Sequence, residues 1–286
     1  MARDSGGLHD PHGTGPTPVD PAKPVAPYIG GKRNLARRLT AQIEATPHTL
    51  YIEPFVGMGG VFFRRRLRPR CEIINDLSGD VANLFRCMRS HPGALVELVS
   101  LQLQARADFD RHMREDSTTL TDLQRAARFV YLQRTAFGGK VSGRSFGVRT
   151  DGPSRFRASE VGADLIAAAR RLEGVTIEQL PWADCIARYD RAGALFYIDP
   201  PYFGCETDYG ADLFGRGEFA AMAEQLGRLK GRFILSLNDR PEVREIFAAF
   251  DIEAVDTHYG LAGGGARPAR EVVVGVDRLD VEGGED

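Results

Sequence analysis

The sequence predicts an α/β fold: a mostly parallel sheet covered on both faces, with an antiparallel last strand and a helical insert. Three observations carry this. Short apolar runs alternate with amphipathic stretches in both halves of the chain. The alternation stops between residues 92 and 174, where helical stretches surround a Gly- and Arg-rich loop. The last two apolar runs have no helical stretch between them, so they must pair antiparallel.

Taken in order, residues 1–26 hold five Pro and four Gly and almost nothing to bury, which predicts a disordered tail. TLYIEP (49–54) reads as a strand ending at a Gly-rich turn, and 59–68 as a helix with Val61, Phe62 and Phe63 inward and its arginines outward. CEIIND (71–76) is a second strand. The spacing of Leu77, Val81, Leu84 and Met88 predicts a helix over 77–90. The insert carries helical stretches at 92–115, 120–135 and 158–173. VTIEQL (175–180) and ALFYID (194–199) resume the strands, followed by a helix over 217–229 with Phe219, Met222, Leu226 and Leu229 on one face. FILSLN (233–238) is a strand. Pro241 opens a helix at a position it tolerates. IEAVDT (252–257) and REVVVGV (270–276) close the chain, joined by a Gly-rich connection. The domain division is then 27–91 with 175–280 for the sheet domain, 92–174 for the insert, and 281–286 as a flexible tail.

Composition narrows the function. The 286 residues are 43% hydrophobic and 27% charged, with a formal net charge of −2 and a pI near 6.3. That excludes collagen-like and fully disordered classes and argues against a nonspecific nucleic-acid coat. No apolar run approaches the ~18 residues a membrane span needs. The start lacks a basic head and apolar core, so no secretory leader is expected. Cys71, Cys87, Cys185 and Cys205 form no C-x-x-C pair, which reads as reduced cytosolic thiols with neither a metal site nor disulfides.

Two stretches carry ligand chemistry. Glu53-Pro54-Phe55-Val56-Gly57-Met58-Gly59-Gly60 leaves a strand through a turn whose glycines let backbone approach a ligand; it equally serves as a tight strand-to-helix turn. Asp76 ends the next strand, where a Rossmann-like sheet places the acid that binds ribose hydroxyls, and where an Asp also caps a helix. Asp199-Pro200-Pro201-Tyr202 follows the apolar run ALFYI. Two prolines fix the backbone and delete two N–H donors, leaving the Pro200 carbonyl beside the Asp199 carboxylate with an aromatic ring adjacent. Two acceptors and a ring suit an exocyclic amino group on a flat base.

These residues bring the chain to a family. From about Tyr28 to Val276 it resembles the Dam-type DNA adenine-N6 methyltransferases: in the aromatic opening Tyr28-Ile29-Gly30-Gly31-Lys32, the Glu53–Phe63 loop, Ile74-Asn75-Asp76, and Asp199–Tyr202. The resemblance implies a class I methyltransferase sheet, S-adenosyl-L-methionine as methyl donor, and transfer to N6 of a flipped-out adenine in double-stranded DNA. It implies that Asp199, Pro200, Pro201 and Tyr202 hold the target base. Tyr28, Gly30, Gly31, Lys32, Glu53, Pro54, Phe55, Gly57 and Gly59 would surround the methionine end of the cofactor. Asp76 would take its ribose and Asp184 its adenine amino group. The run from Tyr131 to Gly147 resembles the family's target-recognition element. It carries Arg134, Phe137, Lys140 and Arg144 as candidate DNA contacts, with Gly138-Gly139 where the common form has Asn-Gly. The expected protein is a cytoplasmic, DNA-associated monomer of bacterial or phage origin.

Charge distribution agrees with a DNA face. Residues 125–157 hold eight basic residues against one acid, Asp151, a net +7. The cluster Arg64, Arg65, Arg66, Arg68 and Arg70 reads equally as phosphate contacts or solvated charge. Three alternatives stand beside the main reading. Cytosine N4, an RNA base or a protein amide would share the amino-group logic. A nicotinamide oxidoreductase would need Gly at position 62, which is Phe62. A non-catalytic DNA-binding descendant would not need Asp199–Tyr202 intact.

Overall fold

A computed structural model describes residues 15–32, 34–154, 156–206, 214–261 and 264–275, with backbone alone over 258–261 and 264–269. Residues 1–14 of the tail expected over 1–26, and the tail expected over 281–286, lie outside the described residues.

The sheet has seven strands in the order β5-β4-β2-β6-β7-β9-β8. These are β2 (Leu50–Glu53), β4 (Cys71–Asn75), β5 (Thr176–Glu178), β6 (Ala194–Ile198), β7 (Arg232–Asn238), β8 (Asp251–Leu261) and β9 (Gly264–Gly275). β5, β4, β2, β6 and β7 run parallel, in register Leu50↔Ala194 and Ile52↔Phe196, while β9 is antiparallel to both β7 and β8. Every residue of β2 and β6 is buried, as strands covered on both faces require. From β2 the chain steps outward to β4 and β5, then returns to β6 on the other side. The carboxyl ends of β2 and β6 therefore flank the topological switch point, where such sheets bind ligands.

One face of the sheet, from Tyr51, Ile74, Leu195 and Tyr197, packs on α1 (Ala36–Ala45) and α2 (Gly79–Ser90). The insert helices α3 (Pro92–Ser100), α4 (Arg106–Arg114), α5 (Asp122–Thr135) and α6 (Ala158–Arg171) belong to the same apolar cluster. The other face, from Ile52, Phe196, Ile198 and Leu235, packs on α7 (Trp182–Tyr189), α8 (Glu218–Leu226) and α9 (Pro241–Ile246). Among the described residues no helix is long and apolar enough to cross a membrane.

Four expectations are corrected. Residues 15–26 are ordered: β1 (Thr17–Pro18) pairs with β3 (Leu67–Arg68), and Ala22, Val25 and Ala26 are buried. The helix expected over 59–68 is a turn followed by one 3-10 turn, Phe62–Arg64, and then β3. Gly57 and Gly59 have φ of 51° and 70°, which a right-handed helix does not accept. Its arginines are not all outward, since Arg65 is only 1% exposed. The stretch 92–115 breaks between α3 and α4, where the Tyr131 hydroxyl donates to the Leu103 and Ala105 carbonyls at 2.9 and 3.1 Å. Finally, β8 and β9 extend far beyond their apolar segments to form a long hairpin. Helix α1 went unread, although Leu35, Leu39 and Ile43 recur at four-residue spacing and are all buried.

Candidate active site

A cleft of about 970 Å³ opens over the carboxyl ends of β2, β4 and β6. Of the residues expected to form a site, Tyr28, Gly30, Gly31, Lys32, Glu53, Phe55, Gly57, Asp76, Asp199 and Pro201 line it. Pro54, Gly59, Pro200 and Tyr202 adjoin these residues in the chain without lining the cleft themselves.

The Gly-rich turn is shaped by its neighbours. The Gly57 N–H donates to Asp76 Oδ2 at 2.9 Å, while Asp76 Oδ1 accepts the Ser78 N–H at 2.9 Å. Asp76 therefore turns the chain into α2 and tethers the glycine turn to the neighbouring strand. Burial pushes its carboxyl up to about 6 against these two amide bonds. The Tyr28 ring packs on Gly57, where a Cβ would sit 3.1 Å from Tyr28 Cδ1. Asn75 joins three segments: its amide donates to the Pro54 and Leu180 carbonyls at 2.8 and 3.0 Å and accepts the Leu180 N–H at 2.8 Å. Glu53 is 1% exposed; burial pushes its carboxyl up to about 8, although it accepts the Tyr51 hydroxyl at 2.7 Å and feels Arg65.

Asp199 lies just past the end of β6. Its Oδ1 is 2.8 Å from Lys32 Nζ and accepts the Ser236 hydroxyl at 3.2 Å. Ser236 is paired in turn with the Tyr197 hydroxyl at 2.9 Å. Among the described residues no donor lies on Oδ2. Burial raises the Asp199 carboxyl to about 6 in spite of the Lys32 charge, with Glu271 adding to the rise. Lys32 is 3% exposed, donates to the Tyr202 hydroxyl at 2.5 Å, and sits 4.2 Å from the centre of that ring. The segment after the two prolines is pinned from β7: Asn238 accepts the Phe203 N–H and donates to the Phe203 carbonyl, both at 2.9 Å. Tyr197, Ser236, Asn238 and Glu271 were not singled out from sequence, and Asn75 only as part of the Ile74-Asn75-Asp76 element. Each is an ordinary polar residue in an apolar strand, and only alternation of buried faces hints that it points at a partner.

Asp184 is not brought to the cleft. It is exposed in the first turn of α7, where an acid suits the positive end of the helix dipole. The insert meets the site through Gln133, wholly buried, whose amide donates to the Pro27 and Gly139 carbonyls at 3.2 Å each. The Gly139 carbonyl also accepts the Ile29 N–H at 3.1 Å. Among the expected DNA contacts, Phe137 and Lys140 are exposed. Arg144 folds back, donating to Gln133 Oε1 at 2.8 and 3.0 Å and to the Lys140 carbonyl at 3.1 Å. Arg134 lines the cleft, pairs with Asp164 at 2.5 Å and donates to the Val25 carbonyl.

The second arginine cluster is in part neither phosphate-facing nor solvated. Arg65, Arg68 and Arg171 converge on buried Glu72 at 2.8, 2.9 and 2.6 Å. Burial would raise the Glu72 carboxyl, but the Arg171 hydrogen bonds and the Arg65 charge hold it below its usual value. Arg65 also stacks 3.6 Å over the Tyr51 ring. Among the described residues no group of three His, Cys, Asp or Glu side chains could hold a metal ion.

Type II methyltransferase M1.LlaDCHI of Lactococcus lactis subsp. cremoris is 26% identical over 254 residues, spanning 82% of this chain and 87% of its own. Type II methyltransferase M.CviBI of Paramecium bursaria Chlorella virus NC1A is 22% identical over 239 residues, spanning 80% and 87%. Type II methyltransferase M.MjaIII of Methanocaldococcus jannaschii is 24% identical over 200 residues, spanning 63% and 69%. A family model for D12 class N6 adenine-specific DNA methyltransferases matches residues 28–261, from the tyrosine at the cleft's lip to the end of β8. The chain belongs to that family.

Proposed function

We propose that this chain transfers a methyl group from S-adenosyl-L-methionine to the N6 amino group of an adenine flipped out of double-stranded DNA, at a specific sequence. The observation that carries the reading is the Asp199 carboxylate: one oxygen is tethered by Lys32 and Ser236, the other is open, and both stand over the switch-point cleft.

The residues present fit the cofactor. At about 970 Å³ the cleft is at the upper end of the usual range for small-ligand sites, ~300–1,000 Å³. Tyr28 packs on its glycine turn, and Asp76 and Asp199 place two carboxylates in the cleft to meet a cationic sulfonium ligand. When bound, the cofactor supplies an electrophilic methyl group. Asp76 would accept the ribose hydroxyls on lone pairs its two amide bonds leave over. Tyr28 and the Gly57 turn would wall the methionine end.

The rest falls to the chain. An adenine amino nitrogen is a poor nucleophile because its lone pair is delocalised into the ring. Hydrogen bonds from that group to Asp199 Oδ2 and the Pro200 carbonyl would draw it toward tetrahedral geometry and aim the lone pair. Holding reactants in such geometry contributes up to ~7–11 kcal/mol. Positive charge that builds on nitrogen during transfer meets the Asp199 carboxylate, a stabilisation larger in the transition state than before it. The Tyr202 ring, steadied through its hydroxyl by Lys32, gives the flipped base a stacking face. Exposed Phe137 and Lys140 are the contacts the insert offers the duplex.

The test is incorporation of labelled methyl from the cofactor into duplex DNA, RNA and protein, followed by nucleoside analysis of the product. N6-methyladenine from duplex DNA is expected; label in N4-methylcytosine, RNA or protein instead would replace this reading.

A further inference from the structure

Among the described residues, two carboxylates of the site converge on one lysine. Lys32 Nζ lies 2.8 Å from Asp199 Oδ1 and 3.2 Å from Glu271 Oε2, with the Lys32 and Glu271 side chains 1% and 2% exposed. Glu271 is on β9, paired in register with Asn238 at the carboxyl end of β7. This antiparallel strand thus delivers a charge to the edge where the parallel strands place the site.

A buried carboxylate needs a partner, and so does a buried ammonium. Asp199 alone would satisfy Lys32. A simple pair, however, would leave Asp199 fully neutralised, a weaker acceptor for an incoming amino group. We infer that Glu271 is a positioning residue for methyl transfer: it shares the Lys32 ammonium, so that Lys32 anchors one oxygen of Asp199 without quenching its charge and leaves the other oxygen to the target. This rests on the function proposed above and adds to it the group that sets the charge balance. Around Asp199 stand also Ser236 on β7, which donates to it, and Tyr197 on β6 and Glu53 on β2 within electrostatic range, while Tyr202 on its own segment pairs with Lys32. Of these, only Glu53 is a second carboxyl, and burial pushes it up to about 8, so it adds little charge at neutral pH.

The test uses the full chain and compares wild type with Glu271→Gln, Lys32→Met and the double variant in single-turnover methylation of duplex DNA. Glu271→Gln keeps shape and removes charge. The methylation rate is expected to fall about tenfold, the equivalent of one pKa unit of lost interaction. Cofactor affinity should stay unchanged, and the acid limb of the rate profile should move to lower pH as Asp199 loses its like-charged neighbour. Lys32→Met leaves two carboxylates facing each other, so adding Glu271→Gln should restore part of the rate. A residue that merely props up β9 predicts the reverse, a double variant slower than either single one, and that result would overturn the inference. The double variant buries one charge fewer and keeps the question open to decision should Glu271→Gln not fold alone. A wild type that forms no N6-methyladenine removes the underlying reading. A methylating wild type matched by Glu271→Gln in rate and acid limb removes only the role of Glu271.

Discussion

At the scale of single residues, the site depends on carboxylates held away from their ordinary ionisation. In the proposed reaction Asp199 accepts the target amino group as a carboxylate, and burial pushes its carboxyl up to about 6. The methylation rate in the DNA-free-to-bound pre-steady state is therefore expected to fall as pH drops through 6, about two units above where an unburied aspartate would act; a rate flat down to pH 4.5 would contradict this. Glu53 gives a stability prediction. Its folded value, about 8, lies above its unfolded value, so the folded state binds the extra proton. Its contribution is intact below the unfolded value and is lost as pH rises through 8. In the ligand-free protein, Glu53→Gln should raise Tm relative to wild type at pH 8 and lose that advantage at pH 4, read by thermal melts at both pH values. The sequence displayed Asp199 and Glu53 because each sits in a contiguous run of unusual residue types. Glu271 was hidden because nothing local distinguishes one acid at the head of an apolar strand from a solvated edge residue.

At the scale of elements, the strand-to-helix turn is where reading the sequence both succeeded and failed. The glycines marked a ligand turn, but the apolar triplet after them suggested a helix that the backbone does not form. Gly59 shows why: besides its φ of 70°, a Cβ there would lie 2.5 Å from the Phe63 ring. The turn is compacted onto its own following side chain. Gly60, by contrast, has room, with the nearest atom 3.7 Å from a Cβ. Gly59→Ala should lower Tm and weaken cofactor binding in titration calorimetry, with backbone strain alone costing ~1–2 kcal/mol. Gly60→Ala should match wild type in both. Equal effects at the two positions would mean that the glycine turn is not held as described. The central strands β2, β6 and β7 were legible because burial on both faces makes them continuous apolar runs, whereas two-residue β3 was read as part of a helix. The order at 15–26 was not, because β1 is fixed by pairing to β3 rather than by any apolar pattern of its own.

At the scale of the whole molecule, the basic window does not survive folding as a basic surface. Arg125 faces Asp80 and Asp122, Arg128 faces Glu115, Arg134 faces Asp164, Arg149 faces Asp151, and Arg157 pairs with Glu160. Most of those acids lie outside the window, so a charge count along the sequence overstated the field. Arg128 also donates to the His112 carbonyl at 2.8 Å and is 12% exposed. Its removal should destabilise the insert without changing the salt dependence of DNA binding. Lys140→Ala should make the salt slope shallower by about one. Binding of both variants to duplex DNA across a salt series separates the two roles, and a slope altered by Arg128→Ala but not by Lys140→Ala would invert the assignment.

The proposed reaction turns on the open oxygen of Asp199 receiving the amino group of an adenine in DNA. The most direct measurement incubates wild type and Asp199→Ala with S-adenosyl-L-methionine and a mixed-sequence plasmid, quantifies methylated nucleosides and maps their positions. N6-methyladenine confined to one sequence context is expected with wild type. With the variant a rate lower by at least ~100-fold is expected, the loss of roughly 2.7–4 kcal/mol typical of a single preorganised electrostatic contact. Methylation of another base, or an Asp199→Ala protein that remains folded and methylates at the wild-type rate, would contradict the proposed reaction.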